Sequence, residues 1–277
     1  RFMPNKAMIA TASTVPNGTV TLVSSIVDRL RFEILGGRIK PGAKLRADDL
    51  KNKFEVSLTP VREALMRLSA EGLVIAEDQR GFRVAPISLQ NLKEVTELRV
   101  ALECLALQHA IAAGDLEWET NIVATAHRLG ALTSRPSNDQ AVINEEWEEW
   151  HRKFHVALIA ACNMPLLIAF CKTANDLCDR YRRIFLPFIR PIDRLNDHNR
   201  IAEATCKRDS ALATKLLADH IRKTEVVIIA GVKATPNALQ AVERPSLSGG
   251  AKAKPDVKRP RAAARRRGAL PRKTRVQ

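Results

Sequence analysis

The stretch from Val56 to Val84 constrains the fold more than any other, because it holds a helix start, a helix stop and two β-prone pieces in immediate succession. Thr59 reads as an N-cap and Pro60 as the first helical residue, where the missing N–H leaves no hydrogen bond unmade. Val61, Leu65 and Leu68 follow at helical spacing, and Gly72 ends the helix. Leu73-Val74-Ile75 and Phe82-Arg83-Val84 flank Asp78-Gln79-Arg80-Gly81, the pattern of a short hairpin with a basic tip.

Two helices are expected ahead of this stretch. From Thr21, apolar residues at Val23, Ile26, Val27, Leu30 and Ile34 form one helix face, closed by Gly36 and Gly37. A turn at Pro41-Gly42 leads into a helix over about 46–54, with Leu50 and Phe54 on its inner face. Three helices followed by a β-hairpin is the order of a winged helix-turn-helix, which lays its third helix in the DNA major groove. Arg62 lies about 100° around that helix from Val61 and points away from the core, so it can reach a base edge or a phosphate. Ser57 and Thr59, with the free N–H groups of the helix start, suit phosphate oxygens. The alternative is a solvated arginine beside two residues that only cap.

The stretch from Leu35 to Val84 resembles the GntR family of bacterial regulators. Its core is Val56-Ser57-Leu58-Thr59-Pro60-Val61-Arg62-Glu63-Ala64-Leu65, then Arg67-Leu68, Glu71-Gly72-Leu73-Val74 and Arg80-Gly81-Phe82-Arg83-Val84. The resemblance implies that Ser57, Thr59, Pro60 and Arg62 touch DNA and that Arg80-Gly81 approaches the adjacent minor groove. Leu58 departs from the pattern, standing where many relatives carry arginine. Asp48 stands where an arginine of the second helix can reach a phosphate, a role left to Arg46.

From about residue 88 to 233 the periodicity is helical throughout, broken near Gly114, Arg135-Pro136-Ser137, Asn163-Met164-Pro165 and Pro187 to Pro191, which implies six or seven helices. Hydrophobic residues make up 45% of the chain but aromatics only 4%, a mix that favours helices packed on helices. The expected fold is therefore mainly α, a winged helix-turn-helix of three helices and a β-hairpin wing joined to an all-α helical bundle.

Four histidines stand at informative positions in the bundle. His151 and His155 are spaced i, i+4, so their rings share a helix face that continues through Leu158, Ile159 and Cys162. His220 falls on the apolar side of the last helix, which Asp209 is expected to cap, and His198 starts the helix before it. Antiparallel packing could bring the four rings together as a metal site; the alternative is four separate hydrogen-bonded core histidines.

This region, about 91–225, resembles the FCD domain, the ligand-binding domain of the FadR subfamily within the GntR family. The matching pieces are Glu97-Leu98-Arg99-Val100-Ala101-Leu102-Glu103, Phe154-His155 followed by Asn163, His198 followed by Ala204 and Asp209, and Asp219-His220-Ile221. The family commonly binds a divalent metal through one Asp and three His, together with an acidic small molecule. His155, His198 and His220 match the three histidines, and His151 occupies the aspartate position. An all-nitrogen set favours Zn²⁺, Ni²⁺ or Cu²⁺ over Mn²⁺ or Mg²⁺, with Zn or Ni preferred, and leaves the site more positive. Alternatively His151 does not bind and the site is vacant. Arg99 is the candidate cation for an effector carboxylate, unless it pairs with Glu103 one turn on. The acidic run Glu145-Glu146-Trp147-Glu148-Glu149 is expected as a solvated helix face, and the basic run Arg180-Tyr181-Arg182-Arg183 either lines the pocket or lies on the surface, with the surface preferred.

The formal net charge is +15, but eleven Lys or Arg against one Asp lie between Ala251 and Gln277. The folded part is only mildly basic. The domains are expected at 1–19 (unstructured), 20–86 (DNA-binding), 87–235 (effector- and metal-binding) and 236–277 (a basic tail). Five cysteines without a C-x-x-C pair read as reduced thiols, and no apolar run approaches a membrane span, so a cytoplasmic location without membrane contact is expected.

The expected function is sequence-specific transcriptional regulation, as a repressor. A homodimer would bind an inverted repeat of double-stranded DNA under control of a small organic acid. Two rival readings are a metal-dependent hydrolase using the histidines, which lacks the glutamate of an H-E-x-x-H arrangement, and an architectural nucleic-acid binder using the tail.

Overall fold

A computed structural model describes residues 21–78, 80–133, 140–185 and 195–234. The expected N-terminal and C-terminal tails lie outside these residues, as do the breaks at 135–137 and 187–191. The chain is mainly helical with one small sheet, as the periodicity requires.

The first elements are α1 (Leu22–Leu35), β1 (Lys44–Leu45), α2 (Ala47–Phe54), α3 (Leu58–Ala70), β2 (Val74–Glu77) and β3 (Gly81–Val84). The Thr21 hydroxyl caps α1, accepting from the Ser24 N–H at 3.1 Å. Leu30, Ile34, Val61, Leu65, Leu68 and Val84 are fully enclosed and knit α1, α3 and the sheet into one core. Burying each such side chain contributes about 1.5–3 kcal/mol.

Two details differ from expectation. The N-cap of α3 is Ser57, whose backbone is extended, so Thr59 and Pro60 are the second and third helical residues. Proline fits there equally well, because none of the first four N–H groups of a helix has an intrahelical acceptor. The wing is also three-stranded, in the order β1-β3-β2, with Lys44 opposite Arg83 and Val74 opposite Val84. A two-residue strand has no period to read, and it is the buried Leu45 and the turn at Gly42 that hold it against β3.

The bundle comprises α4 (Leu89–Ala113), α5 (Leu116–Thr133), α6 (Gln140–Ile159), a 3₁₀ turn (Ala160–Cys162), α7 (Pro165–Phe185), α8 (Leu195–Cys206) and α9 (Ser210–Ala234). Asp209 caps α9 as expected, its Oδ1 accepting from the Leu212 N–H at 3.0 Å. α4 packs on α7 and α9, and α5 packs on α6 and α8. α7 also reaches the core of α1, α3 and the sheet, where Leu177 packs against it. No helix among the described residues is long and apolar enough to cross a membrane.

Candidate functional site

The N-terminal face of α3 is open. Ser57, Thr59 and Arg62 are exposed, and Leu58 and Pro60 are half-buried. Val61 is completely enclosed, which is why its neighbour Arg62 projects outward. No carboxylate pairs with Arg62 among the described residues, and the Ser57 hydroxyl makes no capping hydrogen bond. Arg46 stands exposed at the N-cap of α2. Arg80 and Gly81 are exposed at the wing tip, where Gly81 has φ +90° and so takes a conformation open mainly to glycine.

In the bundle, the helical phase that buries Leu158 and Cys162 also buries His151 and His155. α8 and α9 bring His198 and His220 to the same point. One nitrogen from each of the four rings lies within 4.8 Å of the others, and all four rings are buried. Trp147, one turn before His151, stacks on that ring at a centroid distance of 4.7 Å.

Burial favours the neutral form of three of these histidines. Burial pushes the His155 imidazole down to about 4, and Arg99 adds to the effect against the opposing pull of Glu103. His151 is held well below its ordinary value by burial, then by Arg182 and the other three rings. Burial also lowers His220, although Asp197 opposes it. A neutral imidazole offers a lone pair, as metal ligation requires.

One carboxylate orients a ring, and a second stands beside another. His155 Nδ1 lies 2.8 Å from Glu103 Oε2. Burial pushes the Glu103 carboxyl up, but Arg99 and His155 outweigh this and hold it at about 2. An ionised Glu103 can only accept, so His155 Nδ1 carries the proton and Nε2 keeps its lone pair. Asp197 Oδ2 stands 3.9 Å from His220 Nδ1. His155 Nε2 and His151 Nδ1 are buried with no hydrogen-bond partner among the described residues. Bare buried nitrogens are costly unless something ligates them, so these residues fit a transition-metal ion.

Arg99 is buried and pairs with Glu103 through Nε at 2.6 Å, while its Nη2 is buried without an acceptor among the described residues. Both readings of this residue therefore have a structural counterpart.

The acidic run lies at the surface as expected through Glu145 and Glu149, but the basic run does not, and one acidic residue is drawn in with it. Arg180, Tyr181 and Arg182 are buried, and so is Glu148 of the acidic run. Arg182 is paired with Glu148 and with Asp179, the latter at 2.6 Å. Mutual neutralisation permits this burial, and partners 34 positions apart leave no local signal. Arg152 continues the network to Asp179 and Asp176, each at 3.5 Å. Arg31 of α1 then links Asp176 at 3.6 Å to Glu71, the C-cap of α3, at 2.7 Å. Ion pairs thus run from the wall of the histidine cluster to the end of the DNA-facing helix. Sequence reasoning missed Glu148, Asp176, Asp179 and Asp197. A charged residue on the buried phase of a helix, as Asp179 and Arg182 are on the Cys171-Asn175-Cys178 face, was the available clue.

Residues 22–84 match the bacterial regulatory proteins of the gntR family, and residues 94–223 match the FCD domain. The HTH-type transcriptional regulator BphR of Paraburkholderia xenovorans is 38% identical over 79% of this chain and 90% of its own. The HTH-type transcriptional repressor GlaR of Escherichia coli is 34% identical over 69% of this chain and 89% of its own. The solved structure of McbR/YncC from E. coli superposes with a TM-score of 0.65 at 21% identity, covering 76% of this chain and 99% of that one, and so shares its fold. These relatives are regulators, not hydrolases or architectural proteins, and the chain belongs to the GntR family of DNA-binding transcriptional regulators, with an FCD domain behind its helix-turn-helix.

Proposed function

We propose that the protein is a cytoplasmic, homodimeric repressor of the FadR type, whose operator binding responds to a small organic acid at a metal held by His151, His155, His198 and His220. The observation that carries this reading is the cluster of four buried imidazoles beside the unsatisfied Arg99 Nη2. An all-nitrogen set favours Zn²⁺ or Ni²⁺, and such an ion would supply a Lewis-acidic position for a carboxylate oxygen. Arg99, with a free N–H, would take the remaining carboxylate oxygen while Glu103 keeps its charge balanced.

At the other end, Arg46, Ser57, Thr59, Pro60, Arg62, Arg80 and Gly81 would contact an inverted repeat, with Leu58 in the same contact stretch. The guanidinium of Arg62 reads a guanine edge, and the hydroxyls and free N–H groups at the α3 start hold phosphates. GlaR is named a repressor, which supports the same sign here. Effector and operator affinities are coupled because the ion-pair network joins Glu148 to Glu71 through α7.

The test is a mobility-shift assay on DNA upstream of the gene, with metal-loaded protein and a panel of small mono- and dicarboxylic acids. At least one acid should release wild-type protein and leave His155→Ala bound. If His155→Ala responds like the wild type, the histidines are not the effector site.

A further inference from the structure

Three arginines among the described residues are fully buried, and they are not equivalent. Arg99 has Glu103, and Arg182 has Glu148 and Asp179. Arg180, only 2% exposed, has no carboxylate partner among the described residues. Its Nη2 donates to the Ala85 carbonyl, and its Nε is buried with no acceptor among the described residues. Burial pulls its guanidinium down to about 10, and the Tyr181 hydroxyl offsets this only in part. It remains a cation near neutral pH, and a buried cation without an anion is an unbalanced charge.

Arg180 lines a cavity of about 630 Å³ at the root of the wing. Ser69 and Val74 of the DNA-binding unit form one side, Ala85 and Ile87 of the linker the middle, and Leu177 of α7 the other. The walls are mainly apolar, and no acidic residue contributes to them. A bare inorganic ion would leave those walls wet or empty. An apolar body carrying one negative group fills the cavity and balances the charge.

We propose that this cavity is a second ligand site, separate from the histidine cluster, which takes a small organic carboxylate with an apolar body through Arg180. A ligand there touches the end of α3, the start of β2 and the linker, so it fixes how the reading head meets the bundle. The site stands independently of any metal at the histidines, because none of its walls belongs to that cluster.

The test uses the full chain with cyclohexanecarboxylate as probe, cyclohexanecarboxamide as its uncharged isostere and inorganic phosphate as the bare anion. Binding is followed by thermal melting and by calorimetry in metal-free protein carrying His155→Ala, which disables the carboxylate site proposed at the histidines, with the Arg180 cavity as in wild type, with Arg180→Gln and with the cavity-filling Ser69→Phe. With the cavity intact, the carboxylate should raise the melting temperature saturably, and the amide and phosphate should not. Its affinity should fall about tenfold or more in Arg180→Gln, the size of one charge-assisted hydrogen bond, and binding should vanish in Ser69→Phe, which keeps the arginine. Should Arg180→Gln fail to fold, Ser69→Phe decides alone. No shift with the cavity intact, equal shifts with the amide or phosphate, or carboxylate binding that survives Ser69→Phe would overturn the site.

Discussion

Glu103 accepts from His155 Nδ1 at 2.8 Å, with both side chains 2% exposed. The carboxylate is itself gripped by Arg99, so the imidazole is fixed in position, tautomer and basicity at once. Glu103→Gln removes the charge while keeping the shape. Metal affinity, measured by chelator competition on folded protein, should fall about 10–100-fold. Stability should fall too, because Arg99 loses its counter-ion, a loss worth about 3–5 kcal/mol for a buried pair. Metal affinity unchanged from wild type would remove Glu103 from any role at the cluster.

Arg62→Ala should separate DNA reading from folding. The side chain is exposed and without an ion-pair partner among the described residues, so the melting temperature should hold, while specific affinity drops by about 1–3 kcal/mol. Footprinting on the natural operator checks this. Protection equal to wild type would assign base reading elsewhere on α3 or the wing.

Asp176 gives the joint a pH dependence of unusual sign. Burial pushes its carboxyl up to about 6, although Arg152 and Arg31 pull the other way. The folded value lies above the unfolded one, so the group's stabilising contribution is complete below about pH 4 and is lost as pH rises through 6. Relative to Asp176→Asn, wild-type stability should therefore decline between about pH 4 and pH 6. Urea denaturation of both proteins across that window measures the difference, and parallel curves would mean that the Asp176 carboxyl titrates normally.

Glu148→Gln tests the buried ion pairs beside the cluster. Arg182 would keep Asp179 but lose the charge-assisted bonds from its Nε, at 2.9 and 3.0 Å, and stability should drop by about 1–3 kcal/mol. A loss within about 0.5 kcal/mol, the range of surface substitutions, would contradict the burial of this pair.

Local physics made much of the protein legible in one dimension. Helical repeats such as Val61-Leu65-Leu68, punctuated by Gly72 and the hairpin tip, dictate three helices and a wing because period and turn chemistry are properties of neighbouring residues. The same holds for the i, i+4 pair His151 and His155, whose shared face follows from helix geometry alone.

What the linear order could not supply is the balance of buried charge. Whether Arg182 lies in water or in the core depends on Glu148, and whether Arg180 has a partner depends on what α7 meets at Ala85. An ionised group is buried only where distant residues compensate it, and that compensation exists only once the helices have packed. The sequence by itself determined the reading head and the candidate ligands. Tertiary packing decided which arginines are balanced and left Arg180, among the described residues, without a carboxylate beside a cavity.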